Sequence, residues 1–350
     1  MRIAIISPWN PWPVDSGSRQ RADLIISGLA ASHDVFVIYG LQHPYHAIPE
    51  LNQHPQEVAQ FLTFRWPRGE PAVTTADAPR KPGIDIRPRD IQRMQPFIPD
   101  LSGPLATFKP DVILGLEADG ALIAAAQKSM RTFSIVVDQW EPSRIVDARL
   151  ATRIRSQLFW RSTMHHARAI TVVTAAEKAA AGHILGDVSK VCIVENEALR
   201  ASNFARNPAP MTLLFAGNLD YAPNRDGILW FIADVLPTIQ KEMSGVQLLI
   251  VGRGAPLCPA GLPVGVSQQG WVDDISTCYS TASVAINPVR AGHGSRVKNR
   301  CAIIHGVPLV TFPDPSPLSS ESVRCIQSAA DSPLVTALSD VLRRVVGADS

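Results

Sequence analysis

Apolar residues in this chain come in short runs separated by longer stretches of mixed polarity. The runs "RIAIIS" (2–7), "DVFVIYG" (34–40), "DVILGL" (111–116), "SIVVDQW" (134–140) and "AITVVT" (169–174) are apolar at consecutive positions, not at alternate ones. A strand buried on one face alternates, whereas a strand covered on both faces does not. These runs therefore predict the strands of a buried parallel sheet. Between them, "SRQRADLIISGLAAS" (18–32) and "RIVDARLATRIRSQLFWRSTMHHAR" (144–168) have the mixed pattern of amphipathic helices. Strand–helix–strand alternation predicts a doubly wound α/β sheet.

After about Asn203 the pattern restarts. "MTLLFAGN" (211–218), "VQLLIVGRG" (246–254), "VSQQGWV" (266–272), "SVAINPV" (283–289) and "VPLVTF" (307–312) read as a second set of strands, and "NRDGILWFIADVLPTIQKEM" (224–243) as the helix after the first. The polar, proline-bearing stretch "RASNFARNPAP" (200–210) reads as a linker. The expectation is two Rossmann-like domains, 1–200 and 201–350, facing a central cleft, with the last helix packing back on the first. Ligands of such sheets bind beyond the carboxyl ends of the strands.

Residues 44–110 depart from this pattern. They hold twelve prolines, so regular elements there are short. Basic residues, among them Arg65, Arg68, Arg87, Arg89 and Arg93, lie near Phe61, Phe64 and Trp66. The segment reads as a surface excursion or as an acceptor-binding or membrane-touching flap over 61–93.

Composition narrows the class. At 350 residues the chain is long for one core. A formal net charge of +2 selects no nucleic acid, and no apolar run approaches the ~20 residues that span a bilayer. The N-terminus reads as a buried first strand, not a signal peptide. Five cysteines, none in a C-x-x-C pair, suit a reducing cytoplasm and argue against a zinc or disulfide framework. His165–His166 reads as a helix surface, since adjacent residues point to different faces.

Three loops carry candidate chemistry. In "WNPWPVDSGSRQRADL" (9–24), Gly17 and Ser18 open a helix after the first strand, where backbone N–H groups favour anions. Asp15 or Ser16 capping that helix is the plain alternative. In the second half, Gly217, Gly252 ("VGRGAP") and Trp271–Val272 end successive strands. Asp273 or Asp274 reads as a helix cap. "PVRAGHGSRVKNRCAIIHGVPLVTF" (288–312) runs from glycines into basic residues and a helix, a cradle for phosphate, yet has no carboxylate from Ala291 to Gly306.

The succession "FAGNLDYAPNRDGILWF", "LLIVGRG", "QGWVDD", "PVRAGHGSRVK" and "GVPLVT" resembles the donor half of a retaining glycosyltransferase of family four, with the GT-B fold. "MRIAIISPWNPWPVDSGSRQR" and "VVDQWEPSR" are similar to its other half, and the exopolysaccharide and capsule branch is the nearest. The resemblance implies a nucleotide-diphosphate sugar as donor and a glycan, glycolipid or small molecule as acceptor. It implies transfer with retention by front-face attack, without cofactor or metal ion. Gly17 and Ser18 would meet the donor phosphate. Gly217, Asn218, Arg225 and Gly252 would line the donor site, and Trp271 and Val272 would meet the base. Gly294, Ser295, Arg296 and Lys298 would form the diphosphate loop. Asp138 and Glu141 would face the acceptor. The enzyme would be cytoplasmic or peripheral on the inner face of the membrane.

The chain departs from that pattern at informative places. The family has two glutamates here, one on the donor sugar and one on the ribose; His293 and Cys301 stand in their positions. Asn218 stands where an arginine is usual, with Arg225 in place of the lysine, and Glu117 is the polar residue nearest a histidine common in the first half. The catalytic candidates are thus His293, Glu117, Arg296 and Lys298, with Cys301 in the donor site. Glu195 and Glu197 are candidates to replace the lost ribose clamp. Three readings follow: an active transferase with an unusual donor site, a catalytically weakened GT-B partner subunit, and another nucleotide-sugar enzyme such as an epimerase. A nicotinamide dehydrogenase is disfavoured, because neither half has G-x-G-x-x-G.

Overall fold

The computed structural model describes residues 1–12, 14, 17–41, 60–65, 98–127, 133–146, 150–195, 205–209, 211–258, 261–289, 297–311 and 340. The chain divides into two compact units. Met1–Val14, Ser18–Asn196 and Ser328–Ser350 form the first; Asp15–Gly17 and Glu197–Gln327 form the second.

Unit 1 is built on seven parallel strands: β1 (Arg2–Ser7), β2 (Asp34–Leu41), β3 (Gln60–Arg65), β4 (Val112–Leu116), β5 (Ser134–Asp138), β6 (Ala169–Val172) and β7 (Val191–Ile193), in the order β3-β2-β1-β4-β5-β6-β7. The helices are α1 (Gly17–Ala30), α2 (Ser102–Phe108), α3 (Glu117–Ala126), α4 (Ser143–Val146), α5 (Leu150–His165) and α6 (Ala175–Leu185). The consecutive apolar residues of the strands are explained by cover on both faces. Ile3, Ile5, Val35, Val37, Val112 and Leu114 pack with Ala22, Ile25, Ile26 and Leu29 of α1. Their neighbours Ala4, Ile6, Phe36, Ile38 and Ile113 pack on the other face with Leu105, Phe108, Ile123 and Ala124 of α2 and α3. Each such side chain contributes about 1.5–3 kcal/mol relative to exposure.

Among the described residues unit 2 has five parallel strands: β8 (Thr212–Ala216), β9 (Gln247–Val251), β10 (Val266–Gln269), β11 (Val284–Asn287) and β12 (Leu309–Thr311), in the order β10-β9-β8-β11-β12. Helices α7 (Ala222–Trp230), α8 (Leu236–Glu242), α9 (Ile275–Thr281) and α10 (Val297–Ile304) cover it. Phe215, Leu248 and Ile250 pack with α7 through Ile228; Leu214, Val251 and Ala285 pack on the opposite face with Cys278, Tyr279 and Ala302 of α9 and α10. Residues 205–209, read as linker, are tied to this unit: Asn207 and Ala209 N–H donate to the Ser280 and Thr281 carbonyls at 2.9 and 2.8 Å.

Of the helix expected over 144–168, α4 and α5 carry described parts, and residues 147–149 between them lie outside the described residues. The elements differ from the sequence reading in two places. The helix expected from Asn224 starts at Ala222 with Pro223 in its first turn, and widens into a π-turn over Phe231–Val235 before Pro237. Proline lacks the N–H that would donate one turn back, and the wider turn accommodates this. Strand β10, expected over 266–272, ends at Gln269 and is an edge strand with alternating exposure. The elements β3 and α2 are short, as expected inside the proline-rich stretch. The rest of 61–93, beyond Arg65, lies outside the described residues.

Two glycines set the fit between α3 and the sheet. A Cβ on Gly120 would lie 2.7 Å from the Ile6 carbonyl oxygen, and one on Gly115 would lie 2.6 Å from the Gly120 carbonyl oxygen. Both neighbours are backbone, so neither can move aside cheaply. Gly120→Ala is expected to destabilise unit 1 by roughly 1–3 kcal/mol through overpacking, read as a lower denaturant midpoint. An unchanged midpoint would show that α3 does not press on β1 in this way.

Candidate functional site

In both sheets the winding reverses once. Unit 1 runs β1-β2-β3 outward and then resumes at β4 on the other side of β1. Unit 2 runs β8-β9-β10 and resumes at β11 on the other side of β8. At such a point the connections leave to opposite faces, and a crevice opens beyond the strand ends.

At the unit 1 reversal, α1 follows β1 and α3 follows β4. Gly17 and Ser18 open α1, while Asp15 and Ser16 lie outside the described residues. Glu117 begins α3 directly after β4 with φ 56°, and Gln139, directly after β5, also has φ 56°. Left-handed backbone at non-glycine residues is uncommon and costs energy, and it gathers at functional sites. Trp9, Ser18, Arg21, Ala22, Leu116, Glu117, Asp138 and Gln139 gather around a shallow depression there.

Arg21 and Asp138 form a buried bidentate ion pair, Nε to Oδ2 at 2.8 Å and Nη2 to Oδ1 at 2.7 Å. Thr171 Oγ1 donates to Asp138 Oδ1 at 2.6 Å, and Arg21 Nη1 donates to the carbonyls of Val194 and Glu195 at 3.1 and 3.2 Å. Asp138 was expected to face the acceptor. Its carboxylate is instead committed to this network, which ties α1 to β5, β6 and the chain leaving β7. Breaking such a pair from one side costs ~3–5 kcal/mol. Glu141 lies between β5 and α4, outside the lining of the depression. Glu195 is exposed, and Glu197 lies outside the described residues.

At the unit 2 reversal the strand ends approach closely. Gly217 N–H donates to the Val251 carbonyl at 2.8 Å and Leu219 N–H to the Arg253 carbonyl at 2.7 Å. Gly252 has φ 138°, and a Cβ there would lie 2.1 Å from the Gly217 carbonyl oxygen, so only glycine fits. Trp271 and Val272 follow β10; Trp271 is exposed, and its Nε1 donates to Asp273 at 3.3 Å. Asp274 caps α9 by accepting from Ser276 N–H at 2.8 Å, as expected for that turn. Arg225 donates to the carbonyls of Ala255 and Pro256 at 3.2 and 2.9 Å, and so clasps the loop after β9.

The centre of this edge is Lys298, the second residue of α10. Its ammonium donates to Asn224 Oδ1 of α7 and lies 5.1 Å from the centre of the Phe215 ring of β8. The contact therefore bridges the helices on opposite faces of the sheet at the point of reversal. Asn224 is buried and oriented by its own bond, Nδ2 to the Asn218 carbonyl at 2.7 Å. Asn218 is in turn fixed by Oδ1, which accepts from Asp220 N–H at 2.8 Å. Below Lys298, Asn287 at the end of β11 donates to Asn299 Oδ1 at 2.6 Å. His293, Gly294, Ser295 and Arg296 lie outside the described residues.

Cys301 is one turn beyond Lys298 and packs against the cluster of Leu214, Val251 and Tyr279. Burial pushes its thiol up to about 12. His305 Nδ1 donates to the Cys301 carbonyl at 2.7 Å, and its Nε2 lies 3.1 Å from the Ser276 hydroxyl. The ring stacks on Tyr279, centroids 4.7 Å apart. This buried clasp between α9 and α10 was not anticipated from the sequence. Asn224 was quoted within "APNRDG" but not singled out; its signal was a polar residue on the apolar face of a helix.

Residues 210–342 match the family model of glycosyl transferases group 1. That region holds β8 to β12, Lys298 and Cys301. No curated protein matches the chain in sequence. Solved structures match it over nearly its whole length. Sucrose-phosphate synthase from Thermosynechococcus elongatus is 16% identical, over 99% of this chain and 94% of that one, with TM-score 0.60. HepE from Anabaena, in complex with UDP, is 11% identical over 100% and 91%, with TM-score 0.59. UDP-GlcNAc 2-epimerase from Methanocaldococcus jannaschii is 13% identical over 98% and 93%, with TM-score 0.53. These likenesses establish the fold: two parallel-sheet α/β units of the GT-B kind.

The shifted thiol makes a direct test of the group 1 region. A folded protein that holds Cys301 protonated up to about 12 keeps it a poor nucleophile near pH 8. Its contribution to stability is full below the ordinary thiol pKa and is lost as pH rises above that value, because the unfolded chain deprotonates first. Alkylation followed by mass spectrometry should label Cys301 in unfolded protein and spare it in native protein. Rapid native labelling would contradict its packing.

Proposed function

We propose that the protein is a glycosyltransferase that moves a sugar from a nucleotide-diphosphate sugar to an acceptor, with retention of configuration and without a metal ion. The observation that carries this is Lys298, held by Asn224 over Phe215 at the reversal point of unit 2, beside the glycine strand ends Gly217 and Gly252. It lies inside the residues that match group 1. The solved relative HepE is in complex with UDP, and in other structures with UDP-glucose.

In this reading, the departing diphosphate develops charge beside the Lys298 ammonium. A cation placed beforehand stabilises that charge without reorganising at the moment of transfer. Asn224 and Phe215 contact the ammonium and place it. Gly217 and Gly252 let the nucleotide approach the backbone, and Trp271 and Val272 border the base. His293, Gly294, Ser295 and Arg296 complete the diphosphate loop, with His293 on the donor sugar. Gly17 and Ser18 meet the donor phosphate, the depression of unit 1 with Glu117 and Gln139 takes part in acceptor binding, and the Arg21–Asp138 pair positions its walls. Glu141 stays a candidate on that side, and the protein works in the cytoplasm.

A second reading, a partner subunit with weakened catalysis, is favoured by Cys301 alone. A neutral, packed thiol cannot accept two hydrogen bonds from a ribose diol as a carboxylate does. Transfer of labelled sugar from a panel of nucleotide-sugars separates the readings. Product formation unaffected by EDTA supports the transferase. Nucleotide binding without any product supports the partner subunit.

Two variants test the residues. Lys298→Ala should cost roughly 1.5–3 kcal/mol of nucleoside diphosphate affinity, the value of a charge-assisted hydrogen bond; wild-type affinity by calorimetry would remove Lys298 from the phosphate site. Wild-type protein should discriminate weakly between a nucleotide and its 2′-deoxy analogue, and Cys301→Glu should sharpen that discrimination. Strong discrimination in the wild type would place the ribose clamp elsewhere.

A further inference from the structure

The outer face of α5 carries exposed aliphatic side chains that its own fold does not use. Trp160 and Met164 anchor the helix in the core of unit 1. On the opposite side Ile154 is 50% exposed and Leu158 65% exposed. With Arg161 and His165 they follow the spacing of one helical stripe, in which every third or fourth residue shares a face. Arg161 and His165 are exposed as well, and Arg161 makes no hydrogen bond or ion pair among the described residues.

Charge around the stripe is one-sided. From Leu150 to Arg168 the sequence has Arg153, Arg155, Arg161 and Arg168, two adjacent histidines, and no carboxylate. The acidic residues of the next helix and loop are engaged elsewhere. Glu177 is buried and accepts from Ser143 N–H and Oγ at 2.9 and 2.5 Å. Asp187 accepts from Ser189 N–H and Oγ, both at 2.8 Å. Lys190 closes the end of α5 by donating to the Met164 and Ala167 carbonyls at 2.6 and 3.1 Å. From 150 to 190 there are six Lys and Arg against two Asp and Glu, in a chain whose overall charge is only +2.

We propose that this face of α5 is a peripheral docking surface for a bilayer rich in anionic headgroups. Aliphatic side chains of an interfacial helix enter the boundary between headgroups and acyl chains, and basic residues beside them meet the phosphates. Ile154 and Leu158 supply the first part and Arg161, in a stretch of basic sequence, the second. Charge decides against a second copy of the chain, since a two-fold pairing of this face would set Arg161 and His165 against their like. The surface differs from the basic flap read over 61–93 and stands apart from the proposed chemistry.

Flotation with vesicles tests it. Wild-type protein should bind vesicles of phosphatidylcholine mixed with phosphatidylglycerol, release them at high salt, and ignore phosphatidylcholine alone. Ile154→Ser with Leu158→Ser should lower the partition at least tenfold, and Arg161→Ala about fivefold. All three side chains are at the surface, so melting temperatures should match wild type; should the double variant fail to fold, Arg161→Ala carries the test. No binding to the mixed vesicles, or variants that bind as wild type does, would overturn the proposal. Capture by polyglutamate in the absence of vesicle binding would also overturn it, and would assign the face to an acidic protein.

Discussion

Every strand of both sheets is parallel, and that constraint organises the molecule. Parallel neighbours cannot be joined by hairpins, so each strand is followed by a crossover, most of them helical, and each sheet is covered on both faces. All carboxyl ends then lie along one edge. Where the winding reverses, beside β1 and β4 or beside β8 and β11, helices depart to opposite faces and the edge opens. Glu117 and Lys298 both follow strands at these two places.

The two reversal points are built differently. In unit 1 the charges are paired: Asp138 is bound by Arg21 and Thr171, and the pair fixes the walls of a depression. In unit 2 the ammonium of Lys298 donates to an amide oxygen and lies over a ring face. The proposed donor site draws on that ammonium and on the glycine strand ends of unit 2, and the proposed acceptor site draws on the depression of unit 1.

Much of the framework was legible from periodicity. Runs such as "RIAIIS" and "TLLFA" are apolar at adjacent positions, and only a strand covered on both faces explains that. What escaped was decided by tertiary context. "VSQQ" became an edge strand because its sheet ends there. The π-turn before Pro237 follows from one missing donor inside an otherwise regular pattern. At the site, Lys298 and the strand-end glycines could be named from the loop pattern. The Asn224 contact could not, because it joins residues 74 positions apart. Asp138 was placed toward the acceptor by resemblance, and its pairing joins residues 117 positions apart, which sequence does not show. Cys301 was read as a lost carboxylate, and its neighbours show why: the position faces an apolar cluster.

The central claim is that a nucleoside diphosphate binds at the unit 2 edge with its phosphates on Lys298. A crystal structure of the chain with such a nucleotide bound tests this most directly. The account predicts diphosphate oxygens within hydrogen-bond distance of the Lys298 ammonium and a base beyond the end of β10, near Trp271. A diphosphate held elsewhere, with Lys298 untouched, would contradict it.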